Sequence, residues 1–160
     1  MKKFLKFAGA VAFVLALVAF ILMMATPAAF YQVGSNKLEY SGIAAIFGND
    51  DYKLAWSALL AWIFVLVAML ILCAGVVLPL LKVKALDKFA GVLNLTAVAL
   101  LVVGGIFAFI TLEAFKGANN LLDPKGWQMG AGYVVAGILA LVGGIVAILP
   151  AAVDFLGKKK

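Results

Sequence analysis

Four apolar stretches limit what this chain can fold into more than any other feature. They fall at about 4–26, 54–80, 89–115 and 128–149, separated by short segments that hold nearly all of the charge, Pro and Asn. A helix rises ~1.5 Å per residue, so about 20 apolar residues cross a hydrocarbon core of ~30 Å. Each stretch reaches that length. The first is broken only by Lys6 and stops before Pro27. It exceeds the ~7–15 residues of a signal-peptide core, so it reads as a retained span. The chain reads as an all-α membrane protein, a single four-transmembrane-helix bundle over 1–160. Composition agrees: 67% of residues are hydrophobic and mean hydropathy is +1.19, against roughly half apolar in soluble domains.

Lysine placement gives the expected orientation. Lys2, Lys3 and Lys6, then Lys82, Lys84 and Lys88, then Lys158, Lys159 and Lys160 share one side, against Lys37, Lys53, Lys116 and Lys125 on the other. The positive side faces the cytoplasm. Both termini and the 81–88 connector are therefore expected inside a cell membrane, with loops 29–53 and 116–127 outside. The inner lysines are expected to touch anionic lipid weakly, each worth ~1 kcal/mol near a charged leaflet. A pI near 9.5 does not point to nucleic acid here. Every cation is a lysine, which lacks the planar fork that reads phosphate and bases.

The 29–53 loop has a pattern of its own. Phe30-Tyr31-Gln32-Val33 is aromatic and β-branched, Gly34-Ser35-Asn36 is turn chemistry, and Lys37-Leu38-Glu39-Tyr40 alternates polar and apolar. Together they predict a short β-hairpin with a three-residue turn. Ser41 is placed to cap a short helix over 42–47 that Gly48 ends. Asn49-Asp50-Asp51 offers N-caps for the next long helix. In the second loop, Asp123-Pro124-Lys125-Gly126 is a turn signal, and Trp127 sits where an aromatic belt would lie.

Chemistry-bearing residues are sparse. Histidine and arginine are absent, and Cys73 is the only cysteine. That removes the commonest general base and metal ligand, any internal disulfide and any Cys-based metal site. No acid or lysine falls near a midplane; Glu113 and Lys116 flank a helix end. No catalytic, cofactor or metal site is expected. Asn94 and Thr96 in the third stretch are expected to bond across helices, since an amide in lipid needs a partner. Asn94-Leu95-Thr96 matches a glycosylation pattern but lies within a span. Cys73, between Leu72 and Ala74, reads as a packing residue.

Small residues recur at spacings of four. Gly132, Ala136, Ala140 and Gly144 form one row in the fourth stretch, and Ala8, Ala12 and Ala16 form another in the first. Such rows let backbones approach in lipid. In a closed four-helix ring the first and last helices meet, so these two rows are expected to face each other. A homo-oligomer or another membrane protein is the alternative occupant.

Four spans with both ends inside, a longer first outer loop with strand character and a short second one resemble the claudin-like tetraspan topology. Tyr40-Ser41-Gly42-Ile43-Ala44-Ala45-Ile46-Phe47-Gly48 resembles a segment of small bacterial four-span proteins. The claudin signature, a tryptophan with Gly-Leu-Trp and two loop cysteines, is absent. The resemblance therefore implies a fold and carries no junction-forming activity with it. The function expected is that of a non-enzymatic structural or accessory tetraspan, with a subunit of a small oligomeric transporter or channel as the alternative.

Overall fold

Among the described residues, four helices are long and apolar enough to cross a membrane. The computed structural model describes residues 2–81, 89–121 and 123–156. Helix α1 is Lys2–Ala25, strands β1 and β2 are Pro27–Val33 and Asn36–Ser41, and helix α2 is Gly42–Phe47. Helices α3, α4 and α5 are Trp56–Leu80, Ala90–Phe109 and Thr111–Ala118. Strand β3 is Trp127–Met129 and helix α6 is Ala131–Leu156. The spanning candidates are α1, α3, α4 and α6, with mean hydropathies of 2.7, 2.9, 2.4 and 2.6 over their apolar lengths. The connector lysines Lys82, Lys84 and Lys88 and the terminal Lys158, Lys159 and Lys160 lie outside the described residues.

The long helices close a ring. Helix α1 packs on α3 and α6, and α4 packs on the same two. The buried stripe is small: Ala8, Ala12, Ala16, Ala19 and Met23 in α1, and Ala58, Ala61, Val65, Ala68 and Leu72 in α3. These recur every three or four residues, which is one face of a helix. The outward faces carry larger groups, including Val14, Val18, Ile21, Val67, Leu70, Ile106, Ile138, Val142 and Ile145. Both faces are apolar, so size rather than polarity separates inside from outside.

Three of the four apolar stretches have boundaries that differ from the sequence reading. The 89–115 stretch is two helices, broken at Ile110, whose φ and ψ are −90° and 4°. The Thr111 hydroxyl donates to the Phe107 carbonyl at 3.1 Å, a back-bond that loosens a helix. At the fourth stretch, residues 127–129 are drawn into β3, so α6 starts at Ala131. Its other end runs through Pro150 to Leu156. Helix α3 starts at Trp56, and Asn49 does not cap it. Its side-chain oxygen accepts instead from Asp51 N at 3.2 Å and Tyr52 N at 2.7 Å.

The hairpin forms, with a tighter turn and a third strand. Val33 pairs with Asn36, so the turn is Gly34-Ser35 and Asn36 belongs to β2. Gly34 takes φ +60°, a conformation open to glycine at no steric cost. The sheet order is β2-β1-β3, all antiparallel. Strand β3 comes from the other loop, pairing Ala29 with Met129 and Tyr31 with Trp127. Helix α2 has the predicted ends: Ser41 Oγ accepts from Ala44 N at 3.1 Å, and Gly48 N donates to the Ala44 carbonyl at 2.7 Å.

Candidate functional site

The sheet and both loops converge at one end of the helix ring. Directly paired residues share a face of a sheet. One face therefore carries Ala29, Tyr31, Leu38, Tyr40, Trp127 and Met129, and the other carries Phe30, Gln32, Lys37, Glu39 and Gln128.

The first face packs onto the helix ends through aromatic rings. Tyr40 stacks on Phe115 of α5 with centroids 4.1 Å apart. Trp127 meets Phe115 edge to face at 4.9 Å, and Tyr52 contacts Tyr40, Phe115 and Trp127 at 5.6, 5.5 and 5.8 Å. Tyr40 and Phe115 are fully buried and Trp127 is 7% exposed. Edge and offset ring contacts add roughly 0.5–1.5 kcal/mol each beyond area burial, so the cluster fixes the sheet on the helices.

The Tyr40 hydroxyl inside the cluster has main-chain partners. The Tyr40 hydroxyl lies 3.2 Å from the Ala44 carbonyl and 3.0 Å from the Lys53 carbonyl. Burial pushes it up to about 12, with the Ala55 backbone pulling partly the other way. At the sheet's margin the Tyr31 hydroxyl donates to Asp123 Oδ2 at 3.2 Å. That bond, then loss of water contact, holds Tyr31 above its ordinary value. Beneath the cluster, Ser57 of α3 donates to the Thr111 hydroxyl at 3.3 Å, joining α3 to α5 through two fully buried side chains.

The second face is open and charged. Lys37 Nζ lies 2.7 Å from Glu39 Oε1 and 4.8 Å from the Phe30 ring centroid. Exposed pairs like this contribute ~0–1 kcal/mol, so their role is surface chemistry rather than stability. Charged residues on an outer strand also discourage edge-to-edge pairing.

The residues singled out from the sequence are dispersed along the ring, and of them Gly132, against Thr26, lies at this end. The α6 row does not face a single neighbour. Gly132 lies against Thr26 at the end of α1, whereas Gly144 lies against Val98, Leu101 and Val102 of α4. Ala136 and Ala140 between them are fully buried. A four-residue step drifts ~40° around a helix, and three steps carry the row from one neighbour to the next. On α1, Ala12 and Ala16 are fully buried and Ala8 is 5% exposed. The α6 glycine nearest the Ala12 carbonyl is Gly143, whose Cβ position is 3.6 Å away.

Helices α4 and α6 also approach closely. A Cβ on Gly105 would lie 2.9 Å from Leu141 Cγ and 3.0 Å from the Gly137 carbonyl oxygen. Asn94 sits on α4 towards α3, its side-chain oxygen 3.7 Å from the Cβ position of Gly75. Thr96 is exposed and bonds its own helix, donating to the Val92 carbonyl at 2.9 Å. A hydroxyl can satisfy itself that way, whereas an amide cannot as easily.

The aromatic cluster and β3 were not assembled from the sequence. By sequence alone Trp127 falls where an aromatic belt would lie and Phe115 at the end of a span. The available signal was Trp127-Gln128-Met129, a short alternating run after the Asp123-Pro124-Lys125-Gly126 turn. Among the described residues no group of three or more His, Cys, Asp or Glu comes together. No protein-family model matches the sequence, and a comparison with curated proteins returned no match.

Proposed function

We propose that this chain is a non-enzymatic, multi-pass tetraspan of the plasma membrane, of claudin-like topology, that acts as a structural or accessory partner of another membrane component. The observation that carries this reading is the fixed cap. Both loops contribute strands to one sheet, an aromatic cluster seats it on the helices, and its charged face is held outward. A surface held in this way suits recognition by a partner outside the bilayer.

Two further observations support it. Large aliphatic side chains face outward on all four long helices, the arrangement that suits a lipid surround, and small residues face inward, where backbones must approach. The spanning lengths carry no Lys, Asp or Glu, and ionisable groups at depth are the usual mark of proton relays and ion-coupled transport. Orientation follows the lysine bias, with both termini cytoplasmic and the sheet outside. The inner lysines make weak, unselective contact with anionic lipid.

The test is purification from native membranes in mild detergent, with and without alanine at Gln32, Lys37 and Glu39. The expected result is a stoichiometric membrane-protein partner that the triple variant loses while its melting temperature holds. A homo-oligomer with no partner that releases solute from liposomes would replace this reading with a pore or carrier.

A further inference from the structure

We infer that α2 is not part of the water-exposed loop but is embedded in the hydrocarbon edge of the outer leaflet, its free face covered by acyl chains. The inference rests on the membrane reading above.

Depth comes first. Phe47, at the end of α2, packs edge to face on Trp62 of α3 with centroids 5.5 Å apart. Trp62 in turn stacks on Phe20 of α1 at 5.5 Å. At ~1.5 Å per residue, Trp62 lies about 9 Å along α3 from its first residue, Trp56. Helix α2 therefore lies beside the shafts of α1 and α3, against both of which it packs. At its other end Gly42 sits so close to the Met23 and Thr26 carbonyls that a Cβ would overlap them.

Composition comes second. All six residues, Gly42-Ile43-Ala44-Ala45-Ile46-Phe47, are apolar. Ala44, Ala45 and Ile46 are buried inward, while Ile43 and Phe47, one turn apart, are 52% and 54% exposed. A helix that is apolar all round belongs in a core or in lipid. The exposed face of α2 is continuous, through the Phe47–Trp62 contact, with the aliphatic surface of α3.

Backbone accounting comes third; together with the continuity onto the outward aliphatic surface of α3, it permits acyl chains as the cover. In hydrocarbon every main-chain polar group needs a partner within the protein. Four main-chain groups at the ends of α2 are met in that way. Ala44 N donates to Ser41 Oγ, and Gly42 N donates to the Thr26 carbonyl at 3.0 Å. The Ala44 carbonyl accepts from Gly48 N, and the Ala45 carbonyl accepts from Ala55 N at 2.9 Å.

The test places a bimane label at Ile43→Cys, and separately at Phe47→Cys, in a Cys73→Ala background in phosphatidylcholine vesicles. Ser35→Cys serves as the aqueous reference and Ile106→Cys as the lipid reference. The readout is quenching by brominated acyl chains against quenching by aqueous iodide. The expected result is that labels at 43 and 47 lose fluorescence to brominated chains as Ile106→Cys does, and resist iodide. Iodide quenching at 43 and 47, with Ile106→Cys still in lipid, overturns the embedding of α2 and leaves the membrane reading intact. Resistance to both quenchers means a protein covers the face and overturns the lipid assignment. If Ile106→Cys is itself quenched by iodide, the membrane reading fails and this inference with it.

Discussion

Asn119 takes both main-chain polar groups of Lys53 with one side-chain amide. Its Oδ1 accepts from Lys53 N at 2.8 Å, and its Nδ2 donates to the Lys53 carbonyl at 3.3 Å and to the Phe115 carbonyl at 3.0 Å. The same Lys53 carbonyl lies 3.0 Å from the Tyr40 hydroxyl. One peptide thus ties the strand β2, the approach to α3 and the end of α5 together. The geometry explains why the cap is ordered although a two-stranded hairpin alone is marginal in water.

Asn119→Ala removes three bonds at a partly exposed site. A net loss of ~1–3 kcal/mol is expected, at ~0.5–1.5 kcal/mol per neutral hydrogen bond and allowing for water to replace some of them. Amide exchange in nanodiscs should speed up at Lys53 and Tyr40, with the long helices unchanged. Unchanged protection at Lys53 in the variant would show that the aromatic cluster alone holds this loop.

Tyr40 makes the cap sensitive to alkali. Its hydroxyl is raised from an ordinary value of 10.0 to about 12, first by burial. The folded state therefore holds this proton more tightly than the unfolded state. The stability it contributes is complete below pH 10 and is lost as pH rises from 10 towards 12. In a tyrosinate absorbance titration Tyr40 should ionise later than an exposed tyrosine, with the cap loosening as it does. Tyr40→Phe should lower the late absorbance change by one residue's worth. A late change of unaltered amplitude in the variant would show that Tyr40 does not contribute to it.

How much of this was legible in the sequence depended on the range of the interaction. The four long helices are local, written in runs of apolar residues, and Ser41 and Gly48 marked both ends of α2 by cap chemistry alone. Where long-range pairing competes with local preference, the reading failed. Gln128 looked helical until β1 claimed it as the partner of Phe30, and Asn36 looked like turn until it paired with Val33. The cluster of Tyr40, Tyr52, Phe115 and Trp127 joins residues from both loops and one helix end, and no spacing rule brings them together. Within the ring, uniform apolarity erased the usual amphipathic signal. Residue size carried it instead, and it shows which face is inward without naming the neighbour, as the divided Gly132–Gly144 row makes plain.

The orientation rests on lysine distribution and is open to direct labelling. In a Cys73→Ala background, Asn36→Cys and Asn120→Cys should react with a membrane-impermeant maleimide on intact cells. Lys84→Cys and Lys159→Cys should react only after permeabilisation. Modification of either inner position on intact cells would invert or abolish the assigned topology.

The inward seam and the outward shell should respond oppositely to added volume. Ala136 and Ala140 are fully buried in α6, and a leucine at either position has to displace a neighbouring helix. Overpacking of this kind costs ~1–3 kcal/mol, read as a lower melting temperature in detergent. Gly105→Ala should behave likewise for a smaller added group, because a new Cβ would lie 2.9 Å from Leu141 Cγ and 3.0 Å from a backbone oxygen that cannot rotate away. On the opposite face, Val142 is 41% and Ile145 63% exposed. Val142→Leu and Ile145→Leu should leave stability unchanged, within roughly 0.5 kcal/mol as for substitutions away from the core. The pattern separates internal packing from docking. If Ala136→Leu and Ala140→Leu keep the melting temperature of the parent but lose a co-purifying subunit, the row is a docking face and the ring as described is not the state in solution. If the outer-face variants are the damaging ones, that shell is covered by protein rather than by lipid.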